Sequence, residues 1–276
     1  MTTLIFVFIF LLGIIIGSFL NVVIFRFNTG KTITRGRSIC MTCNRNLRWY
    51  ELIPLFSFLI QKGRCRRCAS KISQQYPIVE FLTGLVFVFI AYKFLPILYI
   101  SGLSFVFLFL FFAFIFSLLI VISVYDLRHK IIPDKLVFIF IIASIISLFV
   151  SHSGFGSLFV IPSATDLMAG PIFAIPFILL WYFSKGKLMG LGDGKLIVGL
   201  GWILGLSQGI FALILSFWIG TIVSLFLMIL PKNLSEHKRK INMKTEIPFA
   251  PFLIASMFIT FLFNFNAFTL IKLFSF

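Results

Sequence analysis

"MGLGDGKLIVGLGWILGLSQGIFALILSFWIGTIVSLFLMILP", residues 189–231, contains a single acid, Asp193, and carries no charge at all from Leu196 to Pro231. Wound as a helix at about 1.5 Å per residue, the uncharged part reaches on the order of 53 Å, nearly twice a hydrocarbon core of about 30 Å. One span cannot use that length, so two helices with a turn near Gly205 to Gly209 are predicted. The Leu, Ile and Phe run continuously instead of alternating in segments of about ten, which excludes a barrel and leaves helices as the spanning form.

The rest of the chain has the same character. Uncharged runs cover residues 1–25, 94–125, 136–165, 167–184 and 247–271. The chain is 60% hydrophobic and 12% charged, with a mean hydropathy of +1.11, whereas soluble domains carry about a quarter charged residues. This is a polytopic membrane protein. The first run is read as a permanent anchor, because "MTTL" lacks the positive charge that precedes the apolar part of a signal peptide. The net charge of +16 does not require nucleic acid, since membrane topology accounts for it.

Residues 26–76 hold eleven basic residues and are placed in the cytoplasm. Crossings then alternate through 1–25, 77–93, 103–125, 136–150, 167–184, two helices within 196–230, and 248–270. Every Lys and Arg except Lys93 and Lys272 falls on one face. The expected fold is an all-α polytopic membrane protein of about eight transmembrane helices, both termini outside, with a small cytoplasmic loop domain. The chain divides as 1–25, 26–76 and 77–276.

All four cysteines lie in that loop, as Cys40-x2-Cys43-x21-Cys65-x2-Cys68. Paired CxxC units at this separation suit a tetrahedral structural zinc, and a segment of about 50 residues has too small a core to fold without a staple. A reducing cytosol disfavours disulfides. Four thiolates leave no open position for catalysis at the metal.

Eight acids remain to be sorted. Asp134 and Asp166 read as helix caps or first-turn acids. Glu236 and Glu246 sit in the last basic loop as solvated partners. Glu51 lies in the first loop, and Glu80 lies near the start of a membrane helix, where an ionisable group is costly unless paired or functional. Asp126 and Asp193 share one boundary on one side. Two close carboxylates share a proton, one activating water while the other acts as acid toward a carbonyl, as in aspartyl proteases. The glycines around Asp193 would let a substrate strand approach its backbone. The plainer alternative pairs each aspartate with Lys195 or Arg128.

"GSFLNVVIFR", "CMTC" with "LRWYELIPLFSF", "KGRCRRC", "YPIVEFLTG", "DLRHKIIPD", "MGLGDGKL" and "IPFAPFLIAS" occur in that order. Together they resemble the bacterial type IV prepilin leader peptidase family over nearly the whole chain. "ELIP" stands where the family often has Asn-Ile-Pro. The resemblance implies a GxGD-type aspartyl protease of the bacterial plasma (inner) membrane, acting at the cytoplasmic face on prepilins and pseudopilins. It implies Asp126 and Asp193 as the catalytic pair, residues 77–276 as the peptidase domain, and Cys40, Cys43, Cys65 and Cys68 as the zinc ligands.

It also implies methylation of the new N-terminal amine with S-adenosylmethionine. No Rossmann-type glycine turn is visible, so a site involving the first loop is expected, with Glu51 and Glu80 as candidates. The expected partners are prepilin or pseudopilin substrates and membrane lipid, without nucleic acid. The alternatives are a peptidase without methyl transfer and a non-enzymatic transporter or scaffold. A transporter is disfavoured by the lack of a convincing internal repeat.

Overall fold

A computed structural model describes residues 2–30, 32–33, 36–150, 158–229 and 247–267. The last basic loop, with Glu236 and Glu246, and Lys272 lie outside the described residues. Membrane-length apolar runs become helices because only there are all backbone groups bonded within the segment. The helices are α1 (Thr2–Arg26), α2 (Phe56–Ile60), α3 (Gln75–Leu98), α4 (Gly102–His129), α5 (Asp134–Leu148), α6 (Ala164–Ser184), α7 (Leu191–Ile229) and α8 (Ala250–Phe263), with a 3-10 turn at Trp49–Leu52. Among the described residues only three isolated β-bridges occur and no strand. Helices α1, α3, α4, α6 and α7 are long and apolar enough to cross a membrane. Helices α5 and α8 have 15 and 14 residues.

The chain forms two compact units, residues 1–121 and 122–276. In the first, α1 lies directly on α3. A Cβ on Gly13 would come within 2.7 Å of the Gly84 Cα, and one on Gly17 within 2.8 Å of the Glu80 Cα. Gly13 and Gly17 are four apart on one helix face, the small-residue spacing that lets membrane helices touch backbone to backbone. One turn further on, the buried Asn21 amide donates to the Gly17 and Tyr76 carbonyls at 3.3 and 3.2 Å. This polar lock ties the end of α1 to the start of α3, between which the loop runs.

In the second unit, α7 is not one rod. Gly205 sits at φ 69°, ψ 179°, a conformation open essentially to glycine, and the pieces on either side run in opposite directions along α6. Before the break, Gly194 meets Phe177 and Ile178, and Gly201 meets Ala169 and Gly170. After it, Gly209 meets Phe173, and the Phe217 ring stacks on Phe177. The arm 191–204 is therefore antiparallel to α6 and the arm 206–229 parallel to it. The expected reversal is present, but it is made at Gly205 alone. Gly209 is helical, its missing side chain making room for Phe173. Helix α8 then runs back along the second arm, with Phe249 against Phe217 at its start and Phe265 against Phe211 just past its end.

Candidate functional site

Asp126 lies in the last turn of α4 and Asp193 in the first turn of α7, and they are 4% and 8% exposed. The two helix ends treat them differently. Asp193 stands among the free N–H groups of a helix start, which favour an anion, whereas Asp126 stands among the free carbonyls of a helix end, which do not. Helix α8 offsets this, because the N–H of Ala250, its first residue, donates to the Asp126 carboxylate. The charge on Asp126 acts directly on Asp193. One Asp193 oxygen, Oδ1, is buried without a hydrogen-bond partner. Buried polar atoms are almost always bonded, so this carboxylate oxygen is an exception.

The alternative pairing with Lys195 is not what forms. Lys195 turns to Asp134, Nζ to Oδ1 at 2.7 Å, across an exposed part of the surface. Asp134 is otherwise the first-turn acid of α5, and Asp166 closes a capping box with Ser163 at the start of α6, both as read from sequence. Gly192 has a use the sequence did not suggest. A Cβ there would come within 2.8 Å of the Ile132 Cβ, so the glycine admits the "IIPD" segment against the start of α7.

The four cysteines come together, with all four sulfurs within 4.8 Å of one another and none in a disulfide. Each CxxC makes the same turn. The Cys40 N–H donates to the Arg45 carbonyl and the Cys65 N–H to the Ser70 carbonyl, both at 2.9 Å. Asn44 and Ala69, one residue past each pair, take left-handed φ values of 52° and 55°. The N–H groups of Cys43 and Thr42 hold the Cys40 thiol down to about 6. At Cys43 the Arg45 N–H acts downward, but burial and the facing Cys40 and Cys68 sulfurs outweigh it and push that thiol up to about 11. Four sulfurs this close together could hold one dication. The Cys40 to Cys68 separation of 3.9 Å matches the edge of about 3.8 Å of a tetrahedron built on zinc–sulfur bonds of about 2.3 Å.

Beneath these turns lies a cavity of about 370 Å³ that both Glu51 and Glu80 line, within the usual range of small-molecule sites. Glu51 is engaged by the loop itself, bonding the Arg45 guanidinium at 2.6 Å and the Arg48 N–H at 2.8 Å. Burial works against its charge, but these two donors prevail and hold its carboxyl below the usual range. Glu80 accepts from the Leu55 N–H at 2.8 Å and from the Ser18 hydroxyl. Ser18, Asn21 and Tyr76 also line this cavity, and none was singled out from sequence because none is charged. The Gly13-x3-Gly17 spacing was the signal that would have placed α1 against α3.

An apolar helical protein with several membrane-length helices and two buried, electrically coupled aspartates at helix ends belongs with the multi-pass membrane proteins. The chain is a member of the type IV leader peptidase family: that family's model matches residues 113–225, and the bacterial peptidase A24 N-terminal domain matches residues 11–94. It is similar to proteins named prepilin leader peptidase/N-methyltransferase. The match to the one from Aeromonas hydrophila is 32% identical over 275 residues, covering 89% of this chain and 86% of that protein. The one from Myxococcus xanthus is 54% identical over 81 residues, 29% of this chain and 24% of that protein. The one from Bacillus subtilis is 38% identical over 133 residues, 48% of this chain and 50% of that protein. No solved structure matches the chain.

Proposed function

We propose that the chain is a membrane endopeptidase that removes the basic leader of type IV prepilins and pseudopilins at the cytoplasmic face, then methylates the new N-terminal amine. The observation that carries the reading is the buried, unbonded Oδ1 of Asp193 in the field of Asp126. Two such carboxylates hold one proton between them. The ionised one takes a proton from water as its oxygen adds to the scissile carbonyl, and the protonated one donates to the carbonyl oxygen. The tetrahedral adduct then collapses: one of its hydroxyls gives a proton to the now ionised carboxylate as the C–N bond breaks, the protonated carboxyl gives its proton to the leaving amine, and one shared proton remains on the pair. The Ala250 N–H keeps Asp126 oriented through these transfers.

The family and its relatives' names support this chemistry, as does the topology. We read α1, α3, α4, α5, α6, the two arms of α7, and α8 as eight crossings, with both termini outside and the basic loops and aspartates at the cytoplasmic side of the bacterial plasma membrane. Cys40, Cys43, Cys65 and Cys68 would hold a structural zinc that ties the two turns of the loop together. S-adenosylmethionine supplies the methyl group, and the loop cavity with Glu51 and Glu80 fits it in size and in carrying carboxylates for a cationic ligand. The test is to incubate the purified full chain with a prepilin and S-adenosylmethionine and weigh the product. Loss of the leader with gain of one methyl group is expected. An uncut prepilin would overturn the peptidase reading, and a cut but unmethylated one the transferase reading.

A further inference from the structure

The two carboxylates of the loop cavity are not equivalent. Glu51 is neutralised by Arg45, and its side chain is 1% exposed. Glu80 is 6% exposed, and its partners, the Leu55 N–H and the Ser18 hydroxyl, are neutral. It has no ion pair among the described residues. Neutral donors orient a buried carboxylate without cancelling its charge, and an uncancelled buried charge is expensive. Three cationic side chains, Arg26, Arg37 and Lys71, line the same cavity, and Arg26 donates to the Thr32 and Arg37 carbonyls at 2.9 and 3.3 Å.

The cavity wall also limits the kind of cation that fits. Phe25 and Tyr76 both line it, with rings stacked at 4.9 Å and 12° between planes. Aromatic faces attract weakly hydrated organic cations and offer nothing to replace the water shell of a small metal ion. Cys40 and Cys65 of the sulfur cluster also line this cavity.

We infer that this cavity binds an organic onium ion with Glu80 as its counter-charge. The inference rests on the methyl-transfer reading, which offers two ions of this chemistry: the sulfonium of S-adenosylmethionine and the ammonium of the newly exposed N-terminus. Each has a neutral twin, S-adenosylhomocysteine for the first and an N-acetylated peptide for the second. Glu51 has a scaffolding part in the same site, holding the loop wall through Arg45 and Arg48.

Calorimetry on the purified full chain, with each ligand and its twin, tests this. Wild type should prefer at least one cation over its twin. Glu80→Gln should weaken that cation roughly tenfold and leave the twin unchanged, while Glu80→Asp, which keeps the charge, should retain the preference. Glu51→Gln should weaken cation and twin together. A loss confined to S-adenosylmethionine assigns the sulfonium, and one confined to the free-amine peptide assigns the ammonium. No preference in wild type, or equal loss of cation and twin in Glu80→Gln, overturns the inference. Product mass from the same preparation separates it from the broader reading. Methylated product without a Glu80-dependent preference fails the cation site alone. A preference without methylated product fails the methyl-transfer reading alone.

Discussion

Gly17→Ala adds one methyl group where the structure has no room for it. The new Cβ would sit 2.8 Å from the Glu80 Cα and 3.0 and 3.1 Å from the Thr83 Oγ1 and Cβ, whereas carbon atoms rest about 3.5–4.0 Å apart. The nearest obstacle is backbone, so no rotamer change relieves it, and α1 and α3 must separate by about 0.7 Å or more. The Asn21 bond to the Tyr76 carbonyl on α3, already 3.2 Å, does not survive that opening. Overpacking of this kind costs about 1–3 kcal/mol, a fall of several degrees in the unfolding midpoint. Gly102→Ala is the control within the same unit. It begins α4 with nothing within 4 Å of the new methyl, and alanine there is neutral or stabilising by up to about 1 kcal/mol. Thermal unfolding followed by tryptophan fluorescence in one detergent compares the two. Equal midpoints would refute the backbone contact between α1 and α3.

Replacing Cys40 and Cys43 together by Ser should abolish bound zinc by elemental analysis and speed proteolysis of the loop, because half the donor set is gone. Glu51 gives the loop a pH dependence of known sign. Its carboxyl is held below the usual 4.5, so the stability it contributes is present above that value and lost as pH falls below it. Protease sensitivity should rise between about pH 5 and pH 3, and this step should flatten in Glu51→Gln. For topology, single cysteines replacing the exposed Ile161 and Lys187 in a background without the native four should label oppositely. An impermeant reagent should reach the first from outside and the second only after lysis.

Sequence length and hydropathy went far toward the fold. The 36 uncharged residues from Leu196 to Pro231 are too many for one crossing and suit two, and the structure folds them back at Gly205. Two CxxC pairs 21 residues apart announced one cluster, because spacing within each pair already fixes a turn. What escaped were the contacts whose partners lie far along the chain. Lys195 meets Asp134 instead of its neighbour Asp193, and nothing local in "GDGKL" selects an acid 61 residues away. The Ala250 N–H on Asp126 is a backbone group and has no residue-type signature. Glu51 and Glu80 looked alike from sequence, yet one is neutralised inside its own loop and the other is not.

Cleavage of a prepilin by Asp193→Asn, compared with wild type and Asp134→Asn, tests the central claim most directly. Asn is nearly isosteric with Asp but cannot hold or release the shared proton. Asp193→Asn should therefore insert normally and leave the leader uncut, as should Asp126→Asn. Asp134→Asn loses an exposed ion pair worth about 1 kcal/mol or less and should cut at close to the wild-type rate, with wild type showing a bell-shaped dependence on pH that belongs to the pair. A mass spectrum in which Asp193→Asn releases the leader as fast as wild type would contradict the assignment of these two aspartates.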